Sequence, residues 1–228
     1  MFGTLKKNVY PGRGILIGKS DDGKSAVIAY FIMGRSVNSR NRRFEEYEGG
    51  MKTVAIDASK LSDPSLVIYS PVADYNNHII VTNGDQTDTI AAYISENKTM
   101  AQALQTREYE PDEPNYTPRI SSVTTLENGD FKFSMSILKR DASGNCGRLH
   151  FHYDGIEEGK ARLIHTYAGD GNPIPSFVGE PAAIDIYGGI EDFTNELWSA
   201  LNNENKVALY VRYVDLESGE SRTKIIGK

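Results

Sequence analysis

The chain has 228 residues, with 25 Lys and Arg against 31 Asp and Glu, a formal charge of −6, and 39% hydrophobic and 10% aromatic residues. These are the proportions of a globular chain able to bury a substantial core; the negative charge argues against a general nucleic-acid binder, which needs positive surface against phosphate, and no apolar run is long enough to span a membrane. The single Cys146 excludes an intramolecular disulfide, and Met1–Lys7 lacks the apolar stretch of a secretion signal, so a reducing, cytoplasmic setting is expected.

Ile15–Lys19 and Ser25–Met33 read as strands joined by the turn Asp21-Asp22-Gly23. Gly34–Arg43 reads as a loop carrying Arg35, Arg40, Arg42 and Arg43, the last two as rim charges. Val54–Asp57, Leu66–Tyr69 and the β-branched run His78–Thr82 are further short strands. A tight polar corner, Asn83-Gly84-Asp85-Gln86-Thr87-Asp88, then leads into a helix marked by Ile90, Ala91 and Ile94; Asp85 or Thr87 can cap it, leaving Asp88 in the first turn. Thr99 with Gln102 forms a capping-box pattern for a second helix.

Residues 107–119, polar and with three prolines, read as an ordered loop. Ile120–Leu126 and Phe131–Leu138 flank Asn128-Gly129, the strongest hairpin signal in the chain. Arg148–Tyr153 and Ala161–Tyr167 are expected to pair as another hairpin, and Phe177–Pro181 is a loop. Ile190, Phe193, Leu197, Trp198 and Leu201 share a helix face. Val207–Leu216 and Ser221–Ile226 form a last hairpin around Ser218-Gly219. Many hairpins and few helices predict an α+β fold dominated by antiparallel sheet, in one domain spanning 1–228.

Three apparent motifs carry no function. Gly12-Arg13-Gly14 before Gly18-Lys19-Ser20 misses the spacing of a phosphate-binding loop, and Ile15-Leu16-Ile17 is strand material. His150, His152 and His165 would share a sheet face if their two strands paired and could then hold zinc, but no nearby sequence supplies a clear water-activating carboxylate, and ordinary strand positions are the better reading. The arginines of residues 35–43 run straight into Glu45, Glu46 and Glu48, which cancel an RNA-binding field and leave a solvated loop or a small-anion site.

Three stretches stand out together: Tyr10-Pro11-Gly12-Arg13 with Gly34-Arg35-Ser36-Val37-Asn38-Ser39-Arg40; Asn83-Gly84 with Thr87-Asp88-Thr89-Ile90; and Glu108-Tyr109-Glu110-Pro111-Asp112-Glu113 with Thr117-Pro118-Arg119-Ile120. The set resembles the archaeal-type inosine monophosphate (IMP) cyclohydrolase family and its bacterial relatives, with Tyr69 at the family's spacing before Asn83-Gly84. The resemblance covers about the first 120 residues best; Gly169-Asp170-Gly171-Asn172-Pro173 and Phe177-Val178-Gly179-Glu180-Pro181 look like features of the bacterial branch.

The resemblance implies a four-layer α-β-β-α sandwich of the kind seen in N-terminal nucleophile hydrolases, without their autoprocessing. The implied reaction closes 5-formamidoimidazole-4-carboxamide ribotide to inosine monophosphate with loss of water, using no metal or organic cofactor. Such a site must bind phosphate, take a proton from a poorly nucleophilic carboxamide nitrogen and stabilise charge on the formyl oxygen. Arg13, Arg35 and Arg40 are the expected phosphate ligands, with Ser36 and Asn38 beside them. Tyr69 is expected to donate to the formyl oxygen. Glu113, ahead of Glu110, is expected to move the proton, and Arg119 to keep that carboxylate ionised. Asn83, Gly84, Thr87 and Asp88 are expected to orient the amide and ribose. All three stretches should then converge on one purine ribotide. The rivals are an enzyme on the same scaffold using another ribotide or amide, and a non-catalytic purine-nucleotide-binding protein. Sheet edges and tyrosine-rich strands predict a homo-oligomer.

Overall fold

Thirteen strands, whose successive side chains point to opposite faces, build the described residues into two antiparallel sheets. The structure, a computed structural model, describes residues 2–60 and 68–228. A short helix, α1 (Gly3–Lys7), precedes β1 (Arg13–Lys19) and β2 (Ser25–Met33), which pair as expected. Ser36 then caps a single helical turn, α2 (Val37–Arg40), inside the segment expected to be loop. It is followed by β3 (Arg42–Tyr47) and β4 (Gly50–Ala55), with a 3-10 turn at Ala58–Lys60. Leu66 and Val67 of the expected strand Leu66–Tyr69 lie outside the described residues. β5 (Val72–Tyr75) and β6 (His78–Thr82) lead to α3 (Gln86–Ser95), and α4 (Met100–Leu104) opens on the capping box of Thr99 and Gln102.

β7 (Arg119–Glu127) and β8 (Asp130–Arg140) turn at Asn128 (φ 52°) and Gly129 (φ 73°), the paired positive dihedrals that match a two-residue turn to strand twist. β9 (Cys146–Tyr153), β10 (Lys160–His165), β11 (Ala182–Asp185), α5 (Ile190–Ala200), β12 (Lys206–Asp215) and β13 (Ser221–Gly227) complete the order. One sheet runs β11-β10-β1-β2-β12-β13 and the other β3-β4-β5-β6-β7-β8-β9. Strands from both ends of the sequence therefore lie side by side in the first sheet.

The expected pairing of Arg148–Tyr153 with Ala161–Tyr167 does not form. β9 pairs with β8, whereas β10 lies in the other sheet between β1 and β11, with Gly14 opposite His165. Burial explains the separation. Leu163 and Ile164 are buried on opposite faces of β10, which demands an interior position, while β9 is half exposed along its length and suits an edge. His165 is thus separated from His150 and His152. It is buried against Phe177, and burial pushes its pKa down to about 4.

Three apolar clusters follow from the alternation. Ile15, Ile17, Ile28, Tyr30 and Ile32 meet Phe44, Met51, Ile79, Val81, Ile120 and Ile137 between the sheets. Leu16, Val27, Phe31 and Leu163, on the other face of the first sheet, pack on Phe2 just before α1, Leu5 of α1, and Phe193 and Leu197 of α5. Ile80, Val123 and Leu138 of the second sheet pack on Ile90, Met100 and Leu104 of α3 and α4. The result is a mixed α+β structure compatible with a sandwich. Among the described residues no helix is long and apolar enough to cross a membrane.

Candidate functional site

The same alternation that fills the space between the sheets brings polar groups to one end of it. Arg13 opens β1 on the face that carries Ile15 and Ile17, and Arg42 opens β3 on the face that carries Phe44. Tyr30, opposite Ile15 on β2, shares a hydroxyl–hydroxyl hydrogen bond of 2.8 Å with Tyr69. Tyr69 is held by its backbone: its N–H donates to Thr53 Oγ1 at 2.9 Å, and its carbonyl accepts from the Thr53 N–H at 2.9 Å. Glu110 reaches the group from the loop before β7, where its N–H donates to Thr117 O at 2.9 Å. Exposure is 8% for Arg13 and Tyr69, 2% for Glu110 and 1% for Arg42.

Electrostatics identifies these as neighbours. Burial pushes the Glu110 carboxyl from 4.5 up to about 7, against the pull of Arg13, Arg119 and Arg42 and with the help of Asp112. Burial opposes the charge of Arg13, but Glu110, Tyr69, Tyr167 and Tyr10 more than offset it and hold that guanidinium well above its ordinary range. Burial lowers Arg42; Tyr69 opposes the shift and Arg13 adds to it. Tyr30 is raised, first by burial and then by Tyr69, and stays protonated. The group is therefore net cationic, with one acid poised near neutrality.

A second set of contacts borders it. Tyr10 stacks on Tyr167 with ring centroids 5.8 Å apart, and the Arg35 guanidinium lies over the Tyr10 ring at 4.9 Å. The Tyr167 hydroxyl, pushed by burial to a pKa of about 12, hydrogen-bonds Thr117 Oγ1 at 2.6 Å, and that hydroxyl in turn donates to Asp112. Arg35 is more exposed than the buried four; it pairs with Asp170 and donates to Gly171 O at 3.1 Å.

The polar corner plays a bracing part. Asn83 Oδ1 accepts from Ile120 N at 2.8 Å and from Gln86 Nε2 at 3.1 Å, while its Nδ2 donates to Pro118 O at 2.9 Å. Thr87 Oγ1 is hydrogen-bonded to Thr82 Oγ1 at 2.7 Å. Asp85 sits at the α3 N-cap position without capping through its side chain; its carboxylate instead pairs with Arg107 and, at 2.7 Å, with Arg119. Arg119 also donates to Gln86 Oε1 at 2.7 Å. A methyl group on Gly84 would lie 2.6 Å from Arg119 Nη1 and 3.5 Å from Glu110 Oε1, so the missing side chain lets those two groups approach the corner.

The expected residues divide accordingly. Arg13, Tyr69, Glu110 and Arg119 come together, with Gly84 against the last two and Arg35 at the border. Asn83 and Thr87 are buried and spend their polar atoms on the protein. Arg40 is exposed and donates to Gly34 O at 2.8 Å and Asn205 Oδ1 at 3.3 Å. Ser36 is exposed and occupied by Ser39, Asn38 is half-buried beside it, and Asp88 is exposed on the first turn of α3. Glu113 is exposed with Tyr116 as its neighbour, whereas Glu110 is the inward one of the two carboxylates. Arg35, Asn83 and Glu113 line none of the cavities of about 320, 410 and 500 Å³ in the structure, and neither do the buried four, which form a packed polar seam.

Sequence reasoning missed Arg42 and Tyr30. The signal for Arg42 was available. Arg42-Arg43-Phe44 at the start of a strand puts Arg42 on the buried face with Phe44 and leaves Arg43 outside with Glu45. Tyr30 stood inside a continuous apolar strand and carried no separate mark.

The fold and the seam define an α+β protein with a buried cationic site and one titratable carboxylate between two sheets. Over residues 10–219 the chain matches the family described as IMP cyclohydrolase-like protein, and it belongs to that family. It is 35% identical over 123 residues to the IMP cyclohydrolase of Methanopyrus kandleri, a match covering 52% of this chain and 60% of that protein. It is also 30% identical over 120 residues to that of Methanocaldococcus jannaschii (50% and 56%) and 29% over 119 residues to that of Methanococcus aeolicus (50% and 58%). The chain thus spans less than two thirds of the length of the curated relatives it matches.

Proposed function

We propose that this chain cyclises 5-formamidoimidazole-4-carboxamide ribotide to inosine monophosphate with loss of water, the last step of purine synthesis. The observation that carries the reading is the meeting, between the sheets, of a carboxyl near pH 7 with a tyrosine hydroxyl pair and buried guanidiniums in a chain of this family. The carboxamide nitrogen attacks the formyl carbon, forming the new C–N bond, and its proton passes to ionised Glu110. The formyl oxygen gains the electron pair of its π bond and takes a hydrogen bond from Tyr69. Tyr30, donating to the Tyr69 oxygen, leaves the Tyr69 proton free for that purpose. The oxygen takes back the proton held by Glu110; the C–O bond then breaks as the electron pair of the former formamido nitrogen forms the C=N bond, and that nitrogen's proton completes the departing water and leaves the pyrimidinone ring closed. A carboxyl near neutrality suits both proton transfers, because it accepts and returns a proton at little cost.

Arg13 and Arg35 take the phosphate side, and a nucleotide enters by displacing Asp170 from Arg35. Arg119, held by Asp85 and Gln86, faces the carboxamide. Asn83, Gly84 and Thr87 keep the corner rigid rather than touch the substrate. Arg40, Ser36, Asn38, Asp88 and Glu113 stand outside the seam and contribute at most to its rim. The layering of three apolar clusters supports the four-layer α-β-β-α scaffold of N-terminal nucleophile hydrolases, used as a single domain in the cytoplasm. Four edge strands, β11, β13, β3 and β9, offer surfaces for a homo-oligomer.

The direct test is incubation of the purified chain with the formylated ribotide; appearance of inosine monophosphate is expected, and none under conditions where a known cyclohydrolase works would reject the reading. Stabilisation by purine ribotides without turnover would instead favour a nucleotide-binding protein. Tyr69→Phe is expected to lower kcat by about 100-fold with little change in KM, as for loss of one donor to a developing oxyanion. Arg35→Ala is expected to raise KM by roughly tenfold and leave kcat nearly intact, since the lost contact is made equally in ground and transition states. Steady-state kinetics of the two variants separates these roles.

A further inference from the structure

Asp85 gives its carboxylate to arginines rather than to its own helix. It falls between Asn83-Gly84 and Thr87-Asp88, the residues that carry the family resemblance, and stands at the N-cap position of α3 without capping through its side chain. The carboxylate pairs with Arg107 and, at 2.7 Å, with Arg119 Nη1. Burial resists its ionisation, but Arg107 and Arg119 outweigh burial and hold it below its ordinary range, so Asp85 is charged wherever Glu110 titrates. Arg107 is fixed from behind: Arg148 of β9 donates to Leu104 O at 3.1 Å and to Arg107 O at 2.7 Å, at the end of α4. Gln86 also accepts from Arg119, at 2.7 Å, but carries no charge.

Arg119 links this pair to the acid of the seam. Glu110 faces Arg13 from β1, Arg42 from β3, Arg119 from β7 and Asp112 from its own loop. Among the described residues, Arg119 is the one of those three guanidiniums that is ion-paired to an acid elsewhere. The place a side chain would fill on Gly84 borders both Arg119 Nη1, at 2.6 Å, and Glu110 Oε1, at 3.5 Å. The guanidinium that Asp85 holds therefore lies across one gap from Glu110.

We propose that Asp85 is a positioning residue for Glu110: by holding the Arg119 guanidinium and offsetting its charge, it keeps Glu110 able to take and return a proton, and Arg107 limits that hold by competing for the same carboxylate. The inference rests on the reading of Glu110 as the general base, which gave Asp85 and Arg107 no part in proton transfer. With Asp85 charged, the field of Arg119 at Glu110 is partly cancelled. Without it, an uncompensated guanidinium across the gap favours the ionised acid, which is then a weaker base.

The experiment follows the Glu110 carboxyl by carbon-13 NMR in protein labelled at its glutamate carboxyls, the signal being identified by its loss in Glu110→Gln. The parent midpoint is expected near 7. Asp85→Asn keeps the shape and removes the charge; it is expected to lower the midpoint by about one pH unit, and the rising limb of kcat/KM against pH should move down with it. Asp85→Glu keeps the charge and should titrate as the parent does. Arg107→Met removes the competing cation and is expected to raise the midpoint, so two variants that break the same ion pair shift Glu110 in opposite directions. A merely structural pair would give shifts of one sign or none, and either result overturns the proposal even if the chain forms inosine monophosphate. Opposed shifts uphold it even if no cyclisation is found. Should Asp85→Asn not fold, Arg107→Met decides by its direction: a raised midpoint upholds the proposal, and a lowered or unmoved one overturns it. A parent midpoint near the ordinary 4.5 overturns both this proposal and the reading of Glu110 as the base.

Discussion

Glu110→Gln is expected to lower kcat by about a thousandfold, the scale at which a positioned general base contributes, while the chain remains folded. The amide keeps the size of the carboxyl, so packing at a 2% exposed position is preserved and only proton transfer is lost. The pH profile provides the sharper check. In the parent chain, activity should rise with pH as Glu110 ionises and level off above about 7. In the Gln variant the limb at that pH should vanish from the residual rate. A limb that persists would assign the base to another group.

The same carboxyl also makes stability depend on pH. Its folded pKa of about 7 lies above the ordinary 4.5, so the native chain holds the proton more tightly than the unfolded chain does. Stability from this group is complete below pH 4.5 and is lost as pH rises to 7. The shift corresponds to about 3 kcal/mol at 1.36 kcal/mol per unit. Denaturant unfolding of parent and Glu110→Gln at pH 4.5 and at pH 8 should therefore show the variant gaining about that amount relative to the parent.

What the sequence revealed was set within a few residues. The Asn128-Gly129 turn, the Thr99–Gln102 box and the β-branched run His78–Thr82 all specify structure through neighbours, and each is found where expected. The partner of β10 was not legible, because nothing near Lys160–His165 points to Arg13–Lys19 at the far end of the chain. The choice between Glu110 and Glu113 was hidden for a related reason. Asp112 accepts from the Thr117 N–H and hydroxyl, which closes residues 112–117 on themselves and carries Glu113 to the outside of the turn. Glu110, bonded to Thr117 at the base of that turn, is directed inward. Two acids of one loop are indistinguishable until that closure is known. Asn83 shows the converse: its motif marked a position of consequence, but the amide braces Pro118 and Ile120 next to the site.

Gly12→Ala is expected to destabilise the chain by about 3 kcal/mol, from left-handed backbone strain of roughly 1–2 kcal/mol and overpacking of about the same size. Gly12 has φ +78°, and a methyl group there would lie 2.2 Å from Thr166 Oγ1 and 2.6 Å from the Tyr167 ring. Neither neighbour can retreat freely. Thr166 Oγ1 accepts from the Arg13 N–H and donates to Pro11 O, and Tyr167 is stacked on Tyr10 and bonded to Thr117. For a chain of this length the melting temperature should fall by roughly 10 °C. Gly169→Ala is the matched control, since its added methyl group meets nothing within 4 Å, and it should melt with the parent. Because the displaced groups hold Arg13 and the tyrosine stack, Gly12→Ala should also weaken ribotide binding at temperatures where it is fully folded. A variant that melts with the parent and binds as tightly would mean that Thr166 and Tyr167 yield without cost, and that Arg13 is not positioned through them.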